Sequence, residues 1–168
     1  IAKILNGKVN PSGHLVDTWV YDVKSAPSYQ SFGNDTTLSH TRASTGWFTE
    51  YLEGIYVGYR YYVTRAMVDP AFDYDDYVQY SFGHGLSYTT FEETIDSVHI
   101  PGNKKTAEVK VTVKNTGTVA AKKAVQLYAQ TPYTQYDKDN KIEKSAIQLV
   151  DYEKTKTIQP GKTETLTR

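Results

Sequence analysis

The sequence predicts a mainly β fold: an antiparallel sandwich after Phe91, preceded by a loop-rich stretch over residues 1–90. Three observations carry this. Glu108 to Lys114 alternates apolar and polar residues at period two. Short strand-like segments with turn residues between them follow up to residue 168. Before Phe91 there is little sustained periodicity, and the apolar runs are broken at Asn10-Pro11-Ser12-Gly13, Ala26-Pro27-Ser28, Phe32-Gly33-Asn34-Asp35 and Asp69-Pro70.

In chain order, Ile1–Leu5 is short enough to be the end of a helix, and the opening without an initiator Met is expected of a piece of a longer chain. Asn10-Pro11 restricts Asn10 to extended backbone, and Gly13 is expected at positive φ, closing a turn before a short strand over His14–Tyr21. Residues 22–50 read as a long polar loop, a kind that is usually functional or wraps another body. Gly54 and Gly58 flank Ile55-Tyr56-Val57, a candidate short strand with a close neighbour. Gly83 and Gly85 around His84 predict a strained turn or a close backbone approach.

After Phe91, Glu108–Lys114 is the clearest strand, ended by the turn chemistry of Asn115-Thr116-Gly117. Ala124–Gln130 follows, with Val125, Leu127 and Ala129 on one face. Ile147–Tyr152 and Thr163–Thr167 complete the series, joined through Pro160-Gly161. This spacing predicts a sandwich of the fibronectin type III or immunoglobulin kind. The absence of Cys excludes the disulfide-bearing immunoglobulin version. Four or five strands are legible against about seven in such a sandwich, so it is expected to be incomplete at its C-terminus.

Nineteen basic and nineteen acidic side chains cancel, leaving no net field for a polyanion or an anionic membrane. Neither nucleic acid nor membrane is an expected partner. Without Cys there is no disulfide, thiolate metal site or thiol nucleophile. The fifteen Tyr, concentrated between Tyr21 and Tyr88, suit a half-wet interface between domains or a sugar-binding surface.

Three segments resemble the family 3 glycoside hydrolases of the β-glucosidase type, in that family's order: Gly7-Lys8-Val9-Asn10-Pro11-Ser12-Gly13-His14-Leu15, Glu53-Gly54-Ile55-Tyr56-Val57-Gly58-Tyr59-Arg60-Tyr61-Tyr62, and Phe82-Gly83-His84-Gly85-Leu86-Ser87-Tyr88-Thr89-Thr90-Phe91. Val113–Gly117, Val125–Tyr128 and Pro160-Gly161 are similar to segments of the family's fibronectin-like domain. The resemblance implies that residues 1–90 are the end of an α/β sandwich domain with a long linker, and residues 91–168 a fibronectin type III-like domain. It implies a parent that removes a terminal non-reducing β-linked sugar with retention of configuration, glucose being the expected one and xylose and N-acetylglucosamine the alternatives. Such a parent acts on β-linked oligosaccharides or aryl glycosides, and its catalytic barrel and α/β sandwich domains would be this segment's partners. Retaining glycosidases need two carboxyl groups. The family's Asp nucleophile and Glu acid/base belong to motifs that do not occur here, so no catalytic residue is assigned and the isolated segment is expected to be inactive.

Glu53 opens the second motif, seven residues before Arg60. It reads as an acid or sugar ligand, or as a structural carboxylate paired with Arg60 or another cation; the structural reading leads, since Arg favours planar carboxylate partners. His84, between two Gly, reads as a turn residue or a substrate contact. Trp19, Trp47 and Phe48 suit a sugar-stacking platform or packing anchors for the long loop, with Trp47 and Phe48 the candidate substrate contacts. Asp69, Asp73, Asp75 and Asp76 lack the Gly and terminal Glu of a calcium loop and read as solvated. Asn34-Asp35-Thr36 matches the N-glycosylation pattern. No metal or organic cofactor is implied. The alternative to an enzyme segment is a carbohydrate- or protein-binding β-sandwich module, or a purely structural one, since sandwiches host many functions.

Overall fold

The computed structural model describes residues 1–31, 51–102 and 106–168. In chain order, α1 is Ala2–Leu5, β1 Trp19–Val20, α2 Tyr59–Val68, α3 Tyr74–Tyr77, β2 Val78–Tyr80, β3 Phe91–His99, β4 Glu108–Asn115, β5 Ala124–Ala129, α4 Gln135–Asp139, β6 Gln148–Lys154 and β7 Thr163–Thr167. Turns of 3-10 helix occupy Val23–Ser25 and Pro27–Ser31. The chain divides into two compact units. One holds residues 1–14, 85–127 and 149–168; the other holds 15–84 and 128–148.

The first unit is a β-sandwich, and the mainly β fold expected from the sequence is present. An antiparallel sheet in the order β3-β4-β7 sets Val111 between Ile95 and Leu166. The second sheet is β5-β6. β4 buries every second residue, Val109, Val111, Val113 and Asn115, as its alternation demands. The three valines pack with Val125, Ile158 and Leu166, and Phe91 and Leu127 close the margins. Each such side chain contributes about 1.5–3 kcal/mol on burial. β3 went unrecognised in the sequence for a physical reason. The register slips between Ile95 and Ser97, which breaks the period, and Ile95 and Val98 are exposed.

The second unit is built on a smaller core of Tyr62, Phe72 and Val78. Tyr62 is inserted from α2, its hydroxyl 2.9 Å from Ser25 Oγ, and burial raises its pKa. Arg65 lies over the Phe72 ring at 4.4 Å and donates to the Tyr61 hydroxyl at 2.7 Å. α4 starts with a reciprocal capping box between Thr134 and Asp137.

Three local expectations are corrected. Ile55-Tyr56-Val57 is turn and irregular backbone, not a strand, and leads into α2 through Gly58 at φ 55° and ψ −128°. L side chains avoid that conformation, so the glycine marks a helix start rather than a close strand neighbour. Gly13 is not among the glycines at positive φ. The strand predicted over His14–Tyr21 shrinks to Trp19–Val20, because β2, its partner, is only Val78–Tyr80.

Candidate functional site

Two of the quoted motifs meet inside the first unit. The Asn10 side chain donates to Pro11 O (2.9 Å) and Ser87 Oγ (3.0 Å), and its Oδ1 accepts from the Tyr88 backbone N–H (2.7 Å). The Tyr88 hydroxyl reaches Ile4 O at 2.8 Å. Gly85 packs so closely that a Cβ there would lie 2.7 Å from Gly13 O and 2.8 Å from His14 Cδ2. Here the close backbone approach expected around His84 is real. These contacts are polar and convergent, and they hold chain to chain.

In the second unit, His84 sits in a turn: its N–H donates to Ser81 O (3.0 Å), its carbonyl accepts from Leu15 N–H (2.8 Å), and its ring lies 4.9 Å from Tyr80. Gly83 beside it takes φ 81°. Glu53 lies in the turn before α2, with Oε2 buried and without a hydrogen-bond partner. Among the described residues no ion pair joins it to Arg60. Arg60 instead lines a cavity of about 270 Å³ with Asp17, Gly58, Tyr59 and Phe82. The Tyr59 and Phe82 rings stand 4.8 Å apart along its wall. Asp17 carried no signal in the sequence; only the fold sets it near Arg60.

Trp47, Phe48 and the Asn34-Asp35-Thr36 pattern lie outside the described residues. Trp19 is half-exposed on β1 opposite Tyr80. In the acidic cluster, Asp69 accepts from Arg65 Nε (3.5 Å) and Ala71 N–H (3.1 Å), and Asp73 caps α3 through Asp75 N–H (3.1 Å). Among the described residues, no three His, Asp or Glu side chains are grouped to hold a metal ion.

No family model matches the chain. Individual proteins do. The β-glucosidase of Ruminococcus albus is 37% identical over 169 residues, covering 99% of this chain and 15% of its own length. β-Glucosidase 3B of Thermotoga neapolitana, solved in complex with glucose, superposes with a TM-score of 0.76 at 32% identity, again over 99% of this chain and 20% of its own. The family 3 β-glucosidase of Bifidobacterium adolescentis matches with a TM-score of 0.75 at 30% identity, over 99% of this chain and 21% of its own. The chain is a segment of a family 3 glycoside hydrolase. It spans 15–21% of the length of these relatives. The family 3 resemblance of the three motifs thus extends along nearly every residue, and their hydrogen-bonded meeting at Asn10 gives two of them a structural reason.

Proposed function

We propose that the chain is the C-terminal portion of an exo-acting, retaining β-glycosidase that hydrolyses terminal non-reducing β-D-glucosyl residues of oligosaccharides and aryl glucosides. The supporting observation is the match along 99% of this chain to 15% of a β-glucosidase. On this reading residues 1–90 are the end of the α/β sandwich domain with its linker, and 91–168 the fibronectin type III-like domain. Their work is to brace the catalytic barrel and the α/β sandwich domain. Retention requires a nucleophilic carboxylate and an acid/base carboxyl about 5–5.5 Å apart, and both are assigned to those partner domains. Trp47, Phe48 and His84 are the residues of this chain proposed to meet the sugar; Glu53 and Arg60 are proposed to hold the loop before α2. Hydrolysis of p-nitrophenyl β-D-glucoside is the test. The longer enzyme is expected to turn it over and the 168-residue chain is not. Turnover by the short chain, lost in Glu53→Gln, would overturn the assignment.

A second reading, a carbohydrate-binding module, draws on the cavity where Asp17 and Arg60 face a Tyr59–Phe82 wall. A carboxylate, a guanidinium and aromatic faces are what sugar hydroxyls and C–H faces require. Glycan-array binding by the short chain, lost in Arg60→Ala, would favour this reading over bracing alone.

A further inference from the structure

The first unit contains a second cavity, of about 310 Å³, whose lining differs in kind from the one at Arg60. Ser12, His14, Ser87, Lys122 and Lys123 supply its polar groups, with Leu86 and Phe91 among the apolar ones. Hydroxyl and ammonium donors dominate. Ser12 Oγ accepts from Lys154 Nζ at 3.4 Å, leaving its proton available. Ser87 Oγ accepts from Asn10 Nδ2 and from Thr89 N–H, and its own proton makes only a 3.4 Å contact to Asn10 Oδ1. Lys123 Nζ pairs with Glu93 at 3.0 Å, which occupies the carboxylate facing this side. Lys122 and Lys123 thus line the cavity, Lys154 reaches Ser12 beside it, and among the described residues the carboxylate paired with a lining ammonium is that of Glu93. His14 Nδ1 is buried with no hydrogen-bond partner, and its ring is held by the close packing of Gly85.

We propose that this cavity binds a compact oxyanion, as a free ion or as the charged group of an acidic sugar, through Ser12, Ser87, Lys122 and Lys123, with His14 beside it. Excess positive charge and spare O–H donors around one concavity are what a tetrahedral or carboxylate anion satisfies, through charge-assisted hydrogen bonds. His14 reports on the site. Its pKa is held below the usual value by burial first and then by Lys123, with Lys154 adding to the effect and the Ser12 backbone and Glu93 opposing it. A bound anion supplies the missing countercharge, so the imidazolium becomes easier to form. Binding then takes up a proton, and affinity rises as the pH falls through the His14 titration.

Sulfate is the suitable probe, since it keeps its charge across this pH range. The experiment follows the His14 ring resonances of the whole chain by NMR during a sulfate titration, with chloride holding ionic strength constant. The expected result is a saturable shift, a His14 midpoint raised by about half a pH unit or more, and a dissociation constant at least about fivefold weaker in Lys122→Gln. Lys122 is exposed, so that variant keeps the fold. Glucose 6-phosphate and glucuronate distinguish the sources: binding about tenfold tighter than sulfate points to an acidic sugar, and equal binding to the free ion. A His14 signal indifferent to sulfate, or an affinity unchanged in Lys122→Gln, overturns the proposal. The readout is binding rather than turnover, so it stands or falls apart from the glycosidase reading.

Discussion

Asn115 has no exposed surface, yet its side chain is fully used. Oδ1 accepts from Thr89 Oγ1 (2.7 Å) and Gly117 N–H (3.1 Å), while Nδ2 donates to Val119 O (2.8 Å) and Ile158 O (2.9 Å). Asn115→Ala leaves buried polar groups orphaned at once, and the expected loss is about 3 kcal/mol or more in urea denaturation. A loss under about 1 kcal/mol would mean that water replaces the amide. In the sequence Asn115 reads only as turn chemistry, because two of its partners are 26 and 43 residues away. Asp137 is a second such residue. Its carboxylate accepts from Lys144 Nζ (2.8 Å), the Thr134 N–H (2.7 Å) and the Thr134 hydroxyl (2.8 Å), which together hold its pKa at about 2. A depressed carboxyl pKa stabilises the fold above the ordinary carboxylate range and stops doing so as the pH falls through about 2. Urea midpoints at pH 7, 4 and 2 should therefore fall less between pH 4 and 2 in Asp137→Asn than in the parent chain.

At the scale of the element, β4 and β3 make the instructive pair. β4 alternates in sequence and alternates in burial, so its existence and inward face were both legible. β3 pairs with it along its length but carries a register slip and exposed Ile95 and Val98, so neither period nor burial announces it. The energetic consequence is measurable. Val113→Ala, at a position with no exposed surface, should cost about 2 kcal/mol, while Ile95→Ala should stay within about 0.5 kcal/mol. Equal losses from the two in parallel thermal melts would show that β3 is covered in solution. The segment before α2 shows the reverse error. Ile55-Tyr56-Val57 has strand-forming residues but, among the described residues, no partner strand, and Gly58 at positive φ turns the chain into a helix instead.

For the whole molecule, zero formal net charge and a pI of about 7.1 leave little long-range repulsion between copies at neutral pH. Solubility of the chain in polyethylene glycol precipitation should be lowest near pH 7 and rise on either side; a minimum displaced by more than about one pH unit would show that burial shifts its titration as a whole. The chain also exposes large apolar side chains, Ile1, Val16, Tyr51 and Leu86 among them. Scattered apolar exposure is ordinary for a protein surface. Coverage by the barrel and α/β sandwich domains would follow from the bracing role proposed above.

Local pattern made the mainly β character after Phe91, the strands with clean alternation and the family resemblance legible along the chain. Each of these is written in local pattern or contiguous motif, where neighbours along the chain carry the information. Tertiary structure alone decided that Asn10 joins the first and third motifs, that Asn115 is a buried hub, and that Arg60 lines one cavity with Asp17 instead of forming an ion pair with Glu53. It alone gathered Ser12, His14, Ser87, Lys122 and Lys123 around one cavity. Those meetings depend on which distant segments the packing of the sandwich brings together, and hydrophobic period encodes which face is buried but not which polar group waits opposite.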